Sequence, residues 1–502
     1  MRKLQWHMPP EEFVHELRAW RRFWAKRGGG GSSRARRSAV RTLVQKRIAW
    51  FKTLNGLSSL PIPAISAAGG GNWIEPLPEN LKIVFVPRVD DAGHAARTIS
   101  IRQDRRRVRR ALRLTEAASD GGTIELVSNR RTRSQPAVGQ FESQGTTRSR
   151  ALFLEAFAAA IVPNLSDEDI ATLETHGARV LDNDVVAIVD PLERSAPGKF
   201  SKSAAWHRDH INFQVPNGKG LTGRGVMIGI LDTGIDPSHP EFAGKTIYFQ
   251  AFGASGERRR SKPRDYSMHG THVSALCAGR DMGVAPNADL AVAAVLTTKD
   301  EHGRMVGYTA QILAGLSWLA GTSPGLPRPA DVLNASIGGP NNDGPDYYLT
   351  ISGHHLRGIL TVAAIGNNGR RGIGNHSAPG MFDNVLAVGA IDEAENVAAF
   401  SDWGQAYAYP TPSPAFKPDL VAPGVAVISA IPRGKYAAMD GTSMAAPIVA
   451  GTAALLIEKK ASLRRNSADL STELKLLTRP LRGTSTADIR RSGLGCIDLA
   501  TI

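Results

Sequence analysis

The sequence has few cysteines and no long apolar run, and each absence excludes a class of protein. Its 502 residues include two cysteines, Cys277 and Cys496, so a disulfide-rich scaffold is excluded and at most one internal bridge can form. No stretch approaches the roughly 18 consecutive apolar residues of a membrane span. The opening residues, MRKLQWHMPPEEFVHEL, lack the apolar centre of a secretory signal, which leaves a cytoplasmic location as the default.

The excess of positive charge is confined to the N-terminal third of the chain. Residues 1–150 carry 29 Lys and Arg against 12 Asp and Glu, whereas residues 151–502 carry 32 against 34. A short amphipathic helix is predicted at 10–27, and a dense run of arginines follows at 105–110. Such patches bind nucleic acid or an anionic membrane surface by charge alone. Because residues 1–147 contain no recognised nucleic-acid motif, a solvated, partly disordered extension without a dedicated partner is the simpler interpretation.

A small α+β unit is predicted at residues 148–191. An apolar run at 157–162 is typical of a strand, Ser166 and Asp169 form a capping-box pair at the start of a helix, and a second strand is predicted at 185–189. Residues 192–205 are polar, contain Pro and Gly, and are predicted as a linker.

Residues 206–502 alternate apolar runs with helical patterns. Candidate strands lie at 226–231, 290–296, 332–336, 360–365 and 385–388, and a helix is predicted at 310–320. This alternation predicts an α/β domain with a mostly parallel sheet that is covered by helices on both faces.

Three short segments supply an acid, a base and a nucleophile. Asp232 ends an apolar strand in LDTGID, where open α/β sheets place their sites, and Asp236 lies four residues further on. His269 opens HGTHVSA, and Ser443 lies in GTSMAAP at the start of a helix, where the backbone N–H and the helix dipole favour an oxyanion. Pro447 is expected to fit within the first turn of that helix. The order Asp, His, Ser is that of subtilisin, and the three motifs resemble those of the subtilase family of serine peptidases.

The resemblance implies a serine endopeptidase with a three-layer, subtilisin-like α/β fold and protein or peptide substrates. It implies that Asp232, His269 and Ser443 form the catalytic triad, with an acyl-enzyme on Ser443. The oxyanion is then held by the Ser443 amide and by Asn367 in AIGNNG, a segment similar to the family's oxyanion asparagine. The segment NASIGGP resembles the wall that pairs with substrate main chain through Ser336, Ile337, Gly338 and Gly339.

The resemblance also bears on residues 148–191, which are similar to the later half of the family's inhibitory propeptide; an unrelated small α+β cap is the alternative. A propeptide predicts self-cleavage, with a mature chain that begins between Asp190 and Trp206. The basic extension would be removed by that cut.

No metal or cofactor is assigned from the sequence. The pair His269 and His272 lacks the glutamate of His-Glu-x-x-His and is one residue closer together than that motif requires. The resemblance places the catalytic role on His269 and a packing role on His272. Calcium is not assigned either, because the loop at 279–282 is shorter than the loop that holds the family's tight site, although Glu241 falls where an acidic ligand is common.

A rival interpretation is a non-catalytic binding protein that uses a peptidase scaffold and a basic arm for nucleic acid or membranes. A degenerate peptidase usually has at least one broken catalytic motif. The segments around Asp232, His269, Asn367 and Ser443 are all intact, so the sequence favours an enzyme.

Overall fold

A computed structural model describes the protein in residues 81–86, 101–116, 123–128, 139–143, 146–154, 156–188, 192–193, 205–300, 303–321, 325–338, 357–408, 413–482 and 489–502. The helix predicted at 10–27, most of the linker predicted at 192–205 and the candidate substrate residue Gly339 lie outside these residues. Across the described part of the chain, no helix is both long and apolar enough to span a bilayer. Cys277 and Cys496 are both buried and unbridged.

The first described elements form a sheet with two helices. Their bounds are β1 Leu81–Phe85, α1 Ile101–Glu116, β2 Thr123–Ser128, β3 Gly139–Ser143, β4 Thr146–Leu154, β5 Ala159–Pro163, α2 Asp167–Thr175, β6 Arg179–Asp182, β7 Val185–Ile188 and β8 Leu192–Glu193. Among the described strands, the sheet runs in the order β2-β4-β5-β1-β6, with β3 paired to β4. Because β1 pairs with both β5 and β6, the sheet takes in residues upstream of the boundary expected at 148.

Local sequence explains both helices of this unit. The capping box of α2 is formed in both directions, since Asp169 N donates to Ser166 Oγ at 3.1 Å and Ser166 N donates to Asp169 Oδ2 at 2.9 Å. In α1 the side chains of Val108 and Leu112 are buried against the sheet. The arginine run at 105–110 therefore belongs to an amphipathic helix that buries Val108 and exposes arginines on its other side. Part of the basic region is therefore folded.

The remaining elements complete the chain. The strands are β9 Met227–Asp232, β10 Ile247–Phe252, β11 Arg258–Arg259, β12 Asp289–Ala294, β13 Thr298–Lys299, β14 Met305–Tyr308, β15 Val332–Ala335, β16 Ile337–Gly338, β17 Leu360–Ala364, β18 Leu386–Ile391, β19 Gly404–Gln405, β20 Phe416–Lys417, β21 Leu420–Pro423, β22 Val427–Ile431, β23 Lys435–Asp440, β24 Thr478–Arg479 and β25 Cys496–Ile497. The helices are α3 Trp206–His210, α4 Gln214–Gly218, α5 His269–Ala278, α6 Thr309–Leu319, α7 Thr442–Lys459, α8 Ser467–Leu476 and α9 Ile489–Ser492.

The central sheet confirms the parallel α/β architecture predicted from the alternating pattern. Its described strands run in the order β11-β10-β12-β9-β15-β17-β18-β21-β25-β24, and the pairs from β10 to β25 are parallel. In β9 the side chains of Ile228 and Ile230 pack towards α5 and α7, whereas Met227 and Leu231 pack towards α6. Both faces of the strand are thus covered, which accounts for its continuous apolar run.

The strand expected at 185–189 forms as β7, but it does not return to the N-terminal sheet. It pairs antiparallel with β14 on one side and with β16 on the other, both of which belong to the domain that begins near residue 206. The strand that returns to the N-terminal sheet is β6. Its four residues, RVLD, are charged at both ends and half-exposed, so they lack the apolar pattern on which the prediction relied.

Candidate active site

Asp232 and His269 meet at the carboxyl end of the central sheet. Asp232 is the last residue of β9 and His269 the first residue of α5. His269 Nδ1 lies 2.8 Å from Asp232 Oδ1 and 2.9 Å from Oδ2, and both side chains are buried. Asp232 Oδ1 also accepts a hydrogen bond from Thr233 N at 2.6 Å. A buried carboxylate in this position fixes one tautomer of the imidazole and stabilises its protonated form.

Two glycines allow β9 and α5 to approach closely enough for this contact. A Cβ at Gly270 would lie 2.1 Å from Gly234 O, and a Cβ at Gly234 would lie 2.1 Å from Arg264 O. Gly234 also has φ +119°, a conformation that residues with a side chain rarely adopt. The glycines of LDTGID and HGTHVSA are therefore needed to bring the acid and the base together.

Asp265, which the sequence interpretation missed, ties the same two elements together. Its Oδ1 accepts from Thr233 Oγ1 at 2.7 Å, and its Oδ2 accepts from Thr271 N at 2.7 Å and from Thr271 Oγ1 at 2.6 Å. Burial raises the pKa of Asp265, while the hydrogen bonds from Thr271 and Thr233 act to lower it. The signal that would have found it is an aspartate just before a helix, where a carboxylate can accept from the free backbone N–H groups.

Ser443 lies in the first turn of α7 and is bonded to the wall that was predicted to bind substrate. Pro447 is the sixth residue of α7 and not part of its first turn, so the Ser443 carbonyl loses the donor that residue 447 would supply. Ser336 Oγ donates to that carbonyl at 3.1 Å instead. In return, Ser443 Oγ lies 3.4 Å from the carbonyl oxygen of Ser336, and Asn334 Nδ2 holds Ser336 Oγ at 3.0 Å.

Asn367 is held beside Ser443 through Thr442. Its Oδ1 accepts from Thr442 N and from Thr442 Oγ1, both at 3.0 Å. Because the oxygen of the amide is bound to Thr442, the donor atom Nδ2 is directed to the other side of the group. The structure thus brings Asn367 to the residue that directly precedes Ser443.

Two strands from the N-terminal part of the chain cross this region. Ile188 and Ala187 in β7 pair with Ile337 and Gly338 in β16, which are two of the predicted substrate residues. In β8, Leu192 pairs with Asp440, three residues before Ser443. The chain itself therefore fills the position that the sequence interpretation gave to a substrate, and the Ser443 side chain is fully buried.

His272 and Glu241 are both bonded to protein groups. His272 Nε2 lies 3.1 Å from Ala437 O, and burial lowers its pKa to about 3, so the ring is neutral at ordinary pH. Glu241 Oε2 accepts from the backbone N–H groups of Asp281 and Met282 at 2.8 and 3.1 Å, and its Oε1 accepts from Tyr436 OH at 2.8 Å. Within the described ranges, no three His, Cys, Asp or Glu side chains cluster as metal ligands would.

Comparison with known proteins identifies the family of this chain. The sequence model of the subtilase family matches residues 223–482. An alkaline protease of Alkalihalobacillus alcalophilus is 34% identical over 305 residues, which are 59% of this chain and 69% of that protein. Subtilisin DY of Bacillus licheniformis is 37% identical over 251 residues, which are 49% of this chain and 81% of that protein. The major intracellular serine protease of Bacillus subtilis is 30% identical over 272 residues, which are 52% of this chain and 78% of that protein.

The family match covers more than half of the chain, and the relatives are named as subtilisins and serine or alkaline proteases. The enzyme class expected from the sequence is thereby confirmed, as a subtilisin-like serine endopeptidase. We conclude that this chain belongs to the subtilase family.

Proposed function

We propose that Asp232, His269 and Ser443 are the catalytic triad of this endopeptidase. The observation that carries the proposal is the contact of the Asp232 carboxylate with His269 Nδ1, made at the same sheet edge as the helix start that bears Ser443. The Asp232 carboxylate keeps the proton on Nδ1, so that Nε2 is free of hydrogen and acts as the base. His269 then takes the proton of Ser443 as its oxygen attacks the peptide carbonyl.

The developing oxyanion is held by Asn367 Nδ2 and by the Ser443 backbone N–H at the positive end of α7. His269 returns its proton to the leaving amine, which leaves an acyl-enzyme on Ser443. Water, activated by the same histidine, then attacks the acyl carbonyl and releases the second product. Ser336, Ile337, Gly338 and Gly339 are proposed to pair with substrate main chain, and the pairing of β7 with β16 supports this role for Ile337 and Gly338.

The acyl-enzyme is testable by rapid kinetics. The enzyme is used after removal of its N-terminal region, here called the processed enzyme, with a p-nitrophenyl ester as substrate. A burst of about one p-nitrophenolate per active site should precede the steady state, since acylation frees the phenolate before deacylation occurs. A linear time course with no burst, at an enzyme concentration where one equivalent is measurable, would argue against rate-limiting deacylation on Ser443. The rival binding function is not favoured by the relatives, which are named as proteases.

We further propose that the N-terminal sheet with β7 is an inhibitory propeptide of the uncut chain. The proposal is supported by two pairings: β7 lies between β14 and β16, and β8 pairs with β23, the strand directly before α7. Ile188 pairs with Ile337, and the next residue along that edge, Ser336, has its carbonyl oxygen 3.4 Å from Ser443 Oγ. The described residues Ile188 and Leu192 thus both pair with segments that lie close to Ser443.

Self-cleavage is therefore expected between Ile188 and Leu192, which overlaps the beginning of the range expected from the sequence. Purified wild type should yield a stable fragment whose first residue lies within 189–192, because β7 and β8, on either side of this range, pair with segments next to Ser443. Ser443→Ala, which lacks the nucleophile, should stay full length. N-terminal sequencing and intact mass of both proteins measure the outcome. An uncut wild type with full activity would show that the N-terminal region is a permanent domain.

We also propose that the enzyme does not need calcium for its stability. The Glu241 carboxylate, at the position where a ligand is common in the family, accepts three hydrogen bonds from protein donors. EDTA should then shift the Tm of the processed enzyme by less than about 2–4 °C, the change expected for about 1 kcal/mol, because a cation that does not bind the native state cannot stabilise it. A larger drop that CaCl₂ reverses and MgCl₂ does not would show a calcium site.

A further inference from the structure

Asp402 is a buried carboxylate that contacts the segment bearing Asn367. Its backbone N donates to Gly366 O at 3.1 Å, and its Oδ2 accepts from Asn368 N at 3.0 Å. One residue thereby bonds to the neighbours of Asn367 on both sides.

The approach of this carboxylate depends on the absence of a side chain at Gly366. A Cβ there would lie 2.2 Å from Asp402 Oδ2 and 3.0 Å from Ser377 Oγ, and Gly366 has φ +119°. On the opposite side, Gly366 N donates to Thr442 Oγ1 at 3.2 Å. The segment 366–368 is thus fixed between Thr442, which precedes Ser443, and Asp402.

A carboxylate is a costly group for this position if it serves only to fill space. Its Oδ1 has no hydrogen-bond partner among the residues that the structure describes. Burial raises the pKa of Asp402 to about 7, although the hydrogen bond from Asn368 and the charge of Arg371 act to lower it. A serine or an asparagine could accept from Asn368 N without the penalty of a buried charge. What the carboxylate adds is a charge-assisted, and therefore stronger, bond to that N–H.

We propose that Asp402 is a positioning residue for the oxyanion donor: its carboxylate holds Asn368 N and so fixes the direction in which Asn367 presents Nδ2. The proposal rests on the role given above to Asn367. Asp402 acts through the backbone of its neighbour and touches no reacting atom. Losing the carboxylate leaves the donor in place but lets it rotate away from the oxyanion.

The test is a double-mutant cycle with the processed enzyme and a soluble peptide substrate. Asn367→Ala should lower kcat by about 10²–10³-fold, the usual effect of losing one such donor. Asp402→Ala should lower kcat by at least about 10-fold, but by no more than Asn367→Ala does. It should change KM by less than about 3-fold, because only transition-state binding is weakened. Asp402→Asn should recover only part of the loss, since its amide oxygen can still accept from Asn368 N but without the charge of the carboxylate.

The combination of variants separates positioning from general damage. In the Asn367→Ala background, Asp402→Ala should have no further effect on kcat, because the donor that it positions is gone. Asp392→Ala is the control, since the Asp392 carboxylate accepts hydrogen bonds from Asn396 N and Nδ2 in the turn before Asp402 and, in the described part of the chain, has none to residues 366–368. An equal fold-loss from Asp402→Ala in both backgrounds, or a lowered Tm with unchanged kcat, would overturn the proposal. If Asn367→Ala itself keeps full activity, the oxyanion assignment fails instead.

Discussion

Ser443→Ala is expected to abolish casein hydrolysis while the protein stays folded. The expected loss in kcat is about 10⁶-fold, the size established for subtilisin, which is the type case of this triad order. The reason is chemical, because the variant lacks the oxygen that forms the acyl-enzyme. The fold should persist, since the substitution removes one atom at the start of α7. Casein cleavage by equal amounts of wild type and variant measures the effect, with circular dichroism and Tm as controls for folding. Equal cleavage by the two proteins would refute the assignment of the nucleophile.

Asp232→Asn should lower kcat by about 10⁴-fold with little change in fold. An asparagine amide would present N–H₂ to His269 Nδ1, so the ring would turn or adopt the other tautomer, and Nε2 would no longer accept the serine proton. Steady-state kinetics on a peptide substrate measure the loss.

Asp236→Asn is the matched control for this variant. Asp236 lies four residues further along the chain, but its carboxylate accepts from Ser238 N, Ser238 Oγ and Arg433 N and has no hydrogen bond to His269 among the described residues. Its replacement should change kcat by less than about 3-fold, because surface substitutions away from the site have small effects. A comparable loss from both variants would show that charge near the site, and not the contact with Nδ1, is what matters.

The parallel sheet was predictable because its strands are buried on both faces. In β9 every residue from Met227 to Asp232 is buried, so the strand can be recognised in the sequence as one apolar run that ends in a carboxylate. The same logic located β12, β15, β17 and β18 to within a few residues. Motif order also predicted a triad of Asp232, His269 and Ser443, and the structure shows the contact of Asp232 with His269.

The parts that escaped prediction depend on long-range contacts. Asp402 follows no apolar run and belongs to no motif, and the only signal for Asp265 is its place shortly before a helix, which many aspartates share. Their importance comes from backbone N–H groups at Thr271 and Asn368 that only the folded chain brings within 3.0 Å. The partner of β7 was hidden for the same reason, because an apolar run indicates a strand but does not specify which edge it joins.

The central claim is that Ser443 is an activated nucleophile, and covalent labelling tests it most directly. The processed wild type is treated with a fluorophosphonate, and the modified residue is located by peptide mass spectrometry. We predict one label per protein, on Ser443, with much slower labelling in Asp232→Asn and none after heat denaturation, because reactivity depends on His269 and on the oxyanion donors of the folded site. A folded wild type that takes up no label, or a label on another residue, would contradict the account.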